Sequence, residues 1–309
     1  MSDKLASMLR DEGSDQTFRY VAQQLIDNPS FAHDCHPLMH MLGHAAVTDY
    51  GSFAGAMSHA NELCNSGFIH GAIEVTMAQA PDLVVAAQSM CGPDAAKVDD
   101  GAAASKKHLV ENFAAWECYH GVGHGVMLAE GRQVESSLTV CEKLPSRFAT
   151  DSCANGVFME HFIVVDHTGV RRPAKDIDVS FTMCEQTATV HRADCYYYAP
   201  SAYLGLYPGQ YQAAYDWCRT LSRRDVVSCI QGVGGQAMKD NDAQPEIVRT
   251  MCQLFDRSDR TACVQGAIGM YINNHASSAA ALPLCKQEFR DFGEACQAMV
   301  DYKKQTLDV

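Results

Sequence analysis

The sequence lacks any run of 18 apolar residues, which excludes a helical membrane span. It has no cluster of lysine or arginine, and 24 basic residues face 37 acidic ones, for a formal net charge of −13. An acidic surface of that kind repels a phosphate backbone, so nucleic acid is not an expected partner. The first residues, Met1-Ser2-Asp3-Lys4, carry no apolar core of a signal peptide. Also missing are a phosphate-binding glycine loop, a dinucleotide fingerprint and a Gly-x-Ser-x-Gly elbow, which removes the commonest nucleotide-dependent and serine-nucleophile chemistries. No His-Glu-x-x-His or Cys-x-x-Cys-His string occurs, so neither a zincin nor a c-type haem site is encoded.

Cysteine, by contrast, is abundant and regular. The 309 residues include 14 cysteines, and from Cys141 onward they fall in five pairs: Cys141/Cys153, Cys184/Cys195, Cys218/Cys229, Cys252/Cys263 and Cys285/Cys296. The second member recurs at steps of 42, 34, 34 and 33 residues. A fixed internal period of this size is the signature of a repeat protein. An even count in regular pairs reads as disulfides, hence an exported chain, periplasmic or secreted, whose leader has been removed. A cytoplasmic location would require the same thiols to be reduced, and two cysteines per repeat supply only half of a four-thiolate zinc site.

Each repeat reads as a helix hairpin. An amphipathic stretch such as Tyr211 to Leu221 or Glu246 to Phe255 ends near the first cysteine, and the second usually opens Cys-x-x-Gly, as in Cys153-Ala-Asn-Gly156, Cys229-Ile-Gln-Gly232 and Cys263-Val-Gln-Gly266. Residues such as Asp151, Ser152, Asp194, Asp225 and Asp259 stand upstream as expected N-caps of the second helix. A disulfide closing so short a loop stabilises a hairpin by about 2–3 kcal/mol in the chain-entropy view. The glycine costs about 1 kcal/mol against alanine in a helix, so it implies a close helix–helix approach. Before Cys141 the spacing leaves the pairing open; Cys91 with Cys118, across a loop from Gly92 to Lys107, and Cys35 with Cys64 is one arrangement it allows.

The expected fold is therefore all-α: an α/α solenoid of about eight degenerate helix-hairpin repeats over 1–309, with one disulfide per repeat in the C-terminal half. Residues 1–167 form a histidine-rich half and residues 168–309 a disulfide-stapled half. The pattern resembles Sel1-like and tetratricopeptide-type solenoids, in particular cysteine-rich Sel1-like proteins with one disulfide per helix pair. That resemblance implies architecture only; the Cys-x-x-Gly opening and the histidines lie outside it.

Nine of the 13 histidines lie before residue 125. His36, His40 and His44 follow one another at i, i+4, i+8 and make a stripe along one helix. His70 and Glu74 are again four apart, and His120 and His124 likewise. Counting from the second cysteine of each unit puts His40, His70, His124 and Met159 at matching places, five or six residues on. Stacked hairpins would bring these positions together on one wall. We therefore expect His40, His70 and His124 to bind one divalent transition metal, with His44 and Glu74 completing or orienting the site. Copper, zinc and iron are not separated by this ligand set. Glycines beside the histidines, Gly43, Gly71, Gly123 and Gly125, are expected to leave room for the ion or substrate. His36 and His120 fit supporting or capping roles better than ligation. Glu160 and His161 point about 100° apart on a helix; one of them would act on substrate or on a metal-bound water.

The functional expectation is a metal-dependent enzyme, oxidoreductase or hydrolase, using metal-activated water or dioxygen on a small-molecule or peptide substrate. Two other readings remain: a non-catalytic repeat scaffold that binds peptides or proteins, and a metal storage or sensing protein. Seven tyrosines between Tyr196 and Tyr215 are read as helix packing, with an aromatic binding wall as the alternative.

Overall fold

A computed structural model describes residues 1–28, 31–91, 106–165, 171–177, 180–275 and 277–306. The chain divides into two compact units, Met1–His161 with Val165–Arg171, and Phe162–Val164 with Arg172–Val309. The first carries α1 (Ser2–Glu12), α2 (Ser14–Asp27), α3 (Ala32–Asp49), α4 (Phe53–Met57), α5 (Leu63–Ala78), α6 (Leu83–Cys91), α7 (Lys106–Ala129), α8 (Val134–Cys141) and α9 (Arg147–Phe162). The second carries α10 (Thr182–Gln186), α11 (Arg192–Leu206), α12 (Tyr211–Cys218), α13 (Val226–Asp240), α14 (Pro245–Leu254), α15 (Arg260–His275), α16 (Ser278–Lys286) and α17 (Gly293–Thr306). No strand occurs among the described residues, and the fold is all-α and solenoid-like, as expected. None of the described helices is long and apolar enough to cross a membrane. The loop placed from Gly92 to Lys107 lies outside the described residues as far as 105, and Lys106 already begins α7.

Short helices alternate with long ones. The short members α10, α12, α14 and α16 each end near a cysteine that bonds into the first turns of the long helix that follows. Cα separations of 5.5 to 5.7 Å across all seven disulfides match what the bond requires. Cys91 pairs with Cys118, while Cys35 pairs with Cys64 and so joins two long helices, α3 and α5. No cysteine is free. Seven disulfides point to an oxidising compartment, extracellular or periplasmic.

Of the expected N-caps, Asp225 and Asp259 directly precede their helices, whereas Asp151, Ser152 and Asp194 lie inside theirs. α9 starts at Arg147, so Asp151 and Ser152 lie inside it, and Asp151 pairs with Arg147 instead. Asp225 stands at the N-cap of α13 without a capping bond. Asp259, just before α15, accepts from Tyr215 Oη and Arg219, both 2.9 Å away, and so ties α12 to the next hairpin.

The long helices form a layer in each unit, and glycine sets how closely they stack. A Cβ on Gly71 would collide with the carbonyl oxygen of His40, and one on Gly43 with that of Phe68, so α3 and α5 meet backbone to backbone. Gly123 and Gly156 do the same for α7 and α9, and Gly234 and Gly266 for α13 and α15. The glycines beside the histidines therefore make room for a neighbouring helix rather than for a ligand. Around these contacts Met39, Leu42, Phe68, Ile73, Met77, Tyr119, Val122 and Phe158 are buried in the first unit. Ile230, Val233, Met238, Phe255, Ile268 and Phe289 are buried in the second.

Gly71→Ala should lower stability by roughly 2–3 kcal/mol, the cost of overpacking against unyielding backbone. Gly293→Ala, at the start of α17 with nothing within 4 Å of its Cβ, should change it by less than about 0.5 kcal/mol. Denaturant unfolding of both variants checks the contrast.

Candidate metal centre

Stacking α3, α5, α7 and α9 at glycine distance leaves little depth for side chains between them. What fills that depth is polar. His36, His40, His70, Glu74, Glu117, His120, His124 and Glu160 are all buried. Burying so many ionisable groups is costly unless each finds a partner.

His36 and His40 sit one turn apart on α3. His36 Nδ1 donates to the carbonyl oxygen of Cys64 at 2.8 Å. That carbonyl belongs to an unusual segment: Cys64, Asn65 and Ser66 all have φ between 55° and 58°, left-handed backbone that costs a non-glycine residue about 1–2 kcal/mol each. His40 Nδ1 lies 3.0 Å from Glu74 Oε1, whose other oxygen takes His44 Nε2 at 2.8 Å. Each ring thus has an oxygen within 3.0 Å of its Nδ1. In the neutral tautomer that suits those partners, Nε2 carries a lone pair. The two Nε2 atoms face each other at 3.0 Å, a contact that needs a proton or a cation between them. His70 joins them: His36, His40 and His70 offer ligand atoms all within 4.8 Å of one another. Its Nε2 lies 2.9 Å from Glu117 Oε2, and its buried Nδ1 makes no hydrogen bond among the described residues.

A second set lies on α7 and α9. His124 Nδ1 is 3.1 Å from Glu160 Oε2, and Arg132 Nη2 is 2.7 Å from Glu160 Oε1. His124 Nε2 meets His120 Nε2 at 3.2 Å, and His120 Nε2 lies 3.3 Å from Met159 Sδ. Trp116 stacks on His120, with ring centroids 4.9 Å apart. Glu74, His124 and Glu160 form a further triad with donor atoms within 4.8 Å. His70 stands among both sets: its ring centroid is 5.3 to 5.6 Å from those of His36, His40, His120 and His124.

Charge balance points the same way. Glu74, Glu117 and Glu160 bring three buried carboxylates, and Arg132 offsets one of them. Protonated imidazoles or bound cations offset the rest. Arg132 reaches Glu160 from just past α7, where its own φ of 64° places it in the left-handed region. Burial, and then the negative charge of Glu117, hold the Glu62 carboxyl above its ordinary range.

Of the residues expected to bind metal, His40 and His70 fall in one cluster and Glu74 and His124 in the other. His44 meets Glu74 at the edge, with about a third of its side chain exposed at 34%. Glu160 faces inward and has both oxygens engaged. His161 is half-buried and belongs to neither cluster. Sequence reasoning gave His36 and His120 only supporting roles, yet both present Nε2 to a partner histidine. The i, i+4 spacing of His36/His40 and His120/His124 was the signal that could have raised them. Counting from cysteine obscured it, because Cys118 lies well inside α7 whereas Cys35 opens α3. In the backbone contacts His40 against Gly71 matches His120, not His124, against Gly156. Glu117 and Arg132 carried no sequence signal at all.

In the second unit the tyrosines are largely structural. Tyr215 stacks on Phe255 with centroids 4.0 Å apart, Tyr196 packs on Phe181, and Tyr211 bonds Asp240 at 3.0 Å. Burial, reinforced by Asp259, pushes Tyr215 up to about 12. The chain matches no protein-family model, no curated protein and no solved structure. The likeness to Sel1-like and tetratricopeptide solenoids therefore rests on helical repetition alone.

Arg132→Ala removes the cation that holds Glu160 against His124. A metal bound at His124 would then be held roughly 10- to 100-fold more weakly, the loss typical of a missing supporting partner, and competition with a coloured chelator would measure the drop.

Proposed function

We propose that the chain is a metal-dependent enzyme of an oxidising compartment, periplasmic or extracellular, whose first unit holds a transition metal among His36, His40 and His70. The observation that carries this reading is the 3.0 Å contact between His36 Nε2 and His40 Nε2, with an oxygen close to each Nδ1. Imidazoles held in one tautomer by an oxygen partner are how proteins commonly orient metal ligands. Three neutral nitrogen donors leave coordination positions open on a bound metal, which would supply an activated water or a dioxygen-binding site.

The chain's own residues divide the remaining work. Glu74 orients His40 and His44. Glu160, clamped by Arg132 and His124, is better placed to position His124 than to accept a proton from substrate. Glu117 is better suited to proton transfer, since it is buried beside His70 and its Oε1 makes no hydrogen bond among the described residues. Burial of the ligands favours a small substrate over a peptide. It also disfavours the scaffold reading, since histidines that line a recognition groove would be exposed. His44, the partly exposed member of the set, marks the side from which a small molecule would approach.

Protein purified without an affinity tag and dialysed should retain at least one transition-metal ion per chain by mass spectrometric metal analysis. His36→Ala combined with His40→Ala should lose it while keeping helical circular dichroism. Less than about 0.2 ion per chain after reconstitution would exclude the reading, given how tightly buried nitrogen-ligated sites hold metal.

A further inference from the structure

The first unit contains a second histidine pair whose chemistry differs from the first. On α7, His124 Nδ1 faces Glu160 Oε2 at 3.1 Å, and Glu160 Oε1 is already held by Arg132. A ring N–H directed at that carboxylate leaves the lone pair of His124 on Nε2, which meets His120 Nε2 at 3.2 Å. The third atom at this place is a thioether sulfur: Met159 Sδ lies 3.3 Å from His120 Nε2. Met159 is not a plain core filler, since it is only partly buried and turns its sulfur to a nitrogen. Two imidazole nitrogens and a thioether are a soft donor set, suited to cuprous copper and poorly suited to magnesium, calcium or manganese.

We propose that His120, His124 and Met159 form a second metal site, selective for copper, so that the centre holds two ions. The proposal rests on the metal reading of the first site but uses none of its ligands. The alternative grouping of Glu74, His124 and Glu160 would set an ion against the Glu160 carboxylate, which Arg132 and His124 Nδ1 already occupy. The nitrogen–nitrogen–sulfur set leaves that clamp intact. Charge agrees: two cuprous ions with Arg132 match the three carboxylates Glu74, Glu117 and Glu160. His70, whose ring neighbours all four of the paired histidines, lies among both sites. Trp116, stacked on His120, covers one face of the second site.

Anaerobic titration of the full chain with cuprous ion against a coloured cuprous chelator tests this directly. Two ions per chain are expected in the parent protein. Met159→Leu keeps the side-chain volume and should weaken one of the two by ten-fold or more, leaving the other unchanged. His120→Ala should abolish that same site. X-ray absorption at the copper edge should show a copper–sulfur path that Met159→Leu removes; every cysteine is in a disulfide, so no thiolate can supply it. One ion per chain, insensitive to Met159→Leu, would overturn this proposal and leave the first site standing. No bound ion would overturn both. A second ion that shows only nitrogen and oxygen neighbours, unaffected by Met159→Leu, would also overturn it.

Discussion

Backbone contact between successive long helices is the constraint on which the rest of this structure depends. Gly43 with Gly71 and Gly123 with Gly156 bring α3 to α5 and α7 to α9 closer than any side-chain-bearing pair allows. At that distance residues on facing helices meet across hydrogen-bond lengths: His40 with Glu74, His124 with Glu160. With alanine at these positions the helices would separate, and the histidines would lose the carboxylates that hold their rings.

The second constraint is electrostatic. Imidazoles and carboxylates sealed from water are unstable neighbours unless protons or cations sit between them. The structure answers with alternation: carbonyl to His36, His36 to His40, His40 to Glu74, Glu74 to His44. The Nε2–Nε2 contact of His36 with His40 in that chain, like that of His120 with His124, needs a proton or a cation between two ring nitrogens. The second unit repeats the same hairpin without a comparable histidine–carboxylate cluster among its described residues. The matching places hold Ala202 (one residue further on), Gly235 and Gly269, and polar contacts such as Tyr215 with Asp259 join helices instead.

The disulfides and the centre solve separate problems. Each bond in the second unit joins cysteines 11 positions apart and fixes one hairpin. Stacking of hairpins rests on glycine contacts, apolar burial and polar ties such as Tyr215 with Asp259. Cys35–Cys64 is different, since it ties two stacked long helices together. It holds the left-handed Cys64–Ser66 segment in place beside α3, and the Cys64 carbonyl takes the His36 ring proton.

The sequence by itself determined the helical class, the hairpin repeat and the pairing of the ten cysteines from Cys141 onward. Those features are local: helical periodicity and cysteines 11 or 12 positions apart need no distant partner. It also placed the histidine pairs in the first half, because i, i+4 histidines share a helix face wherever that helix goes. Only the tertiary structure decided how the helices slide past one another. That register moved His36 and His120 inward, assigned each ring nitrogen its partner, joined Cys35 to Cys64, and drew in Glu117 and Arg132. Glycine contacts between helices set it, and no spacing along the chain records it.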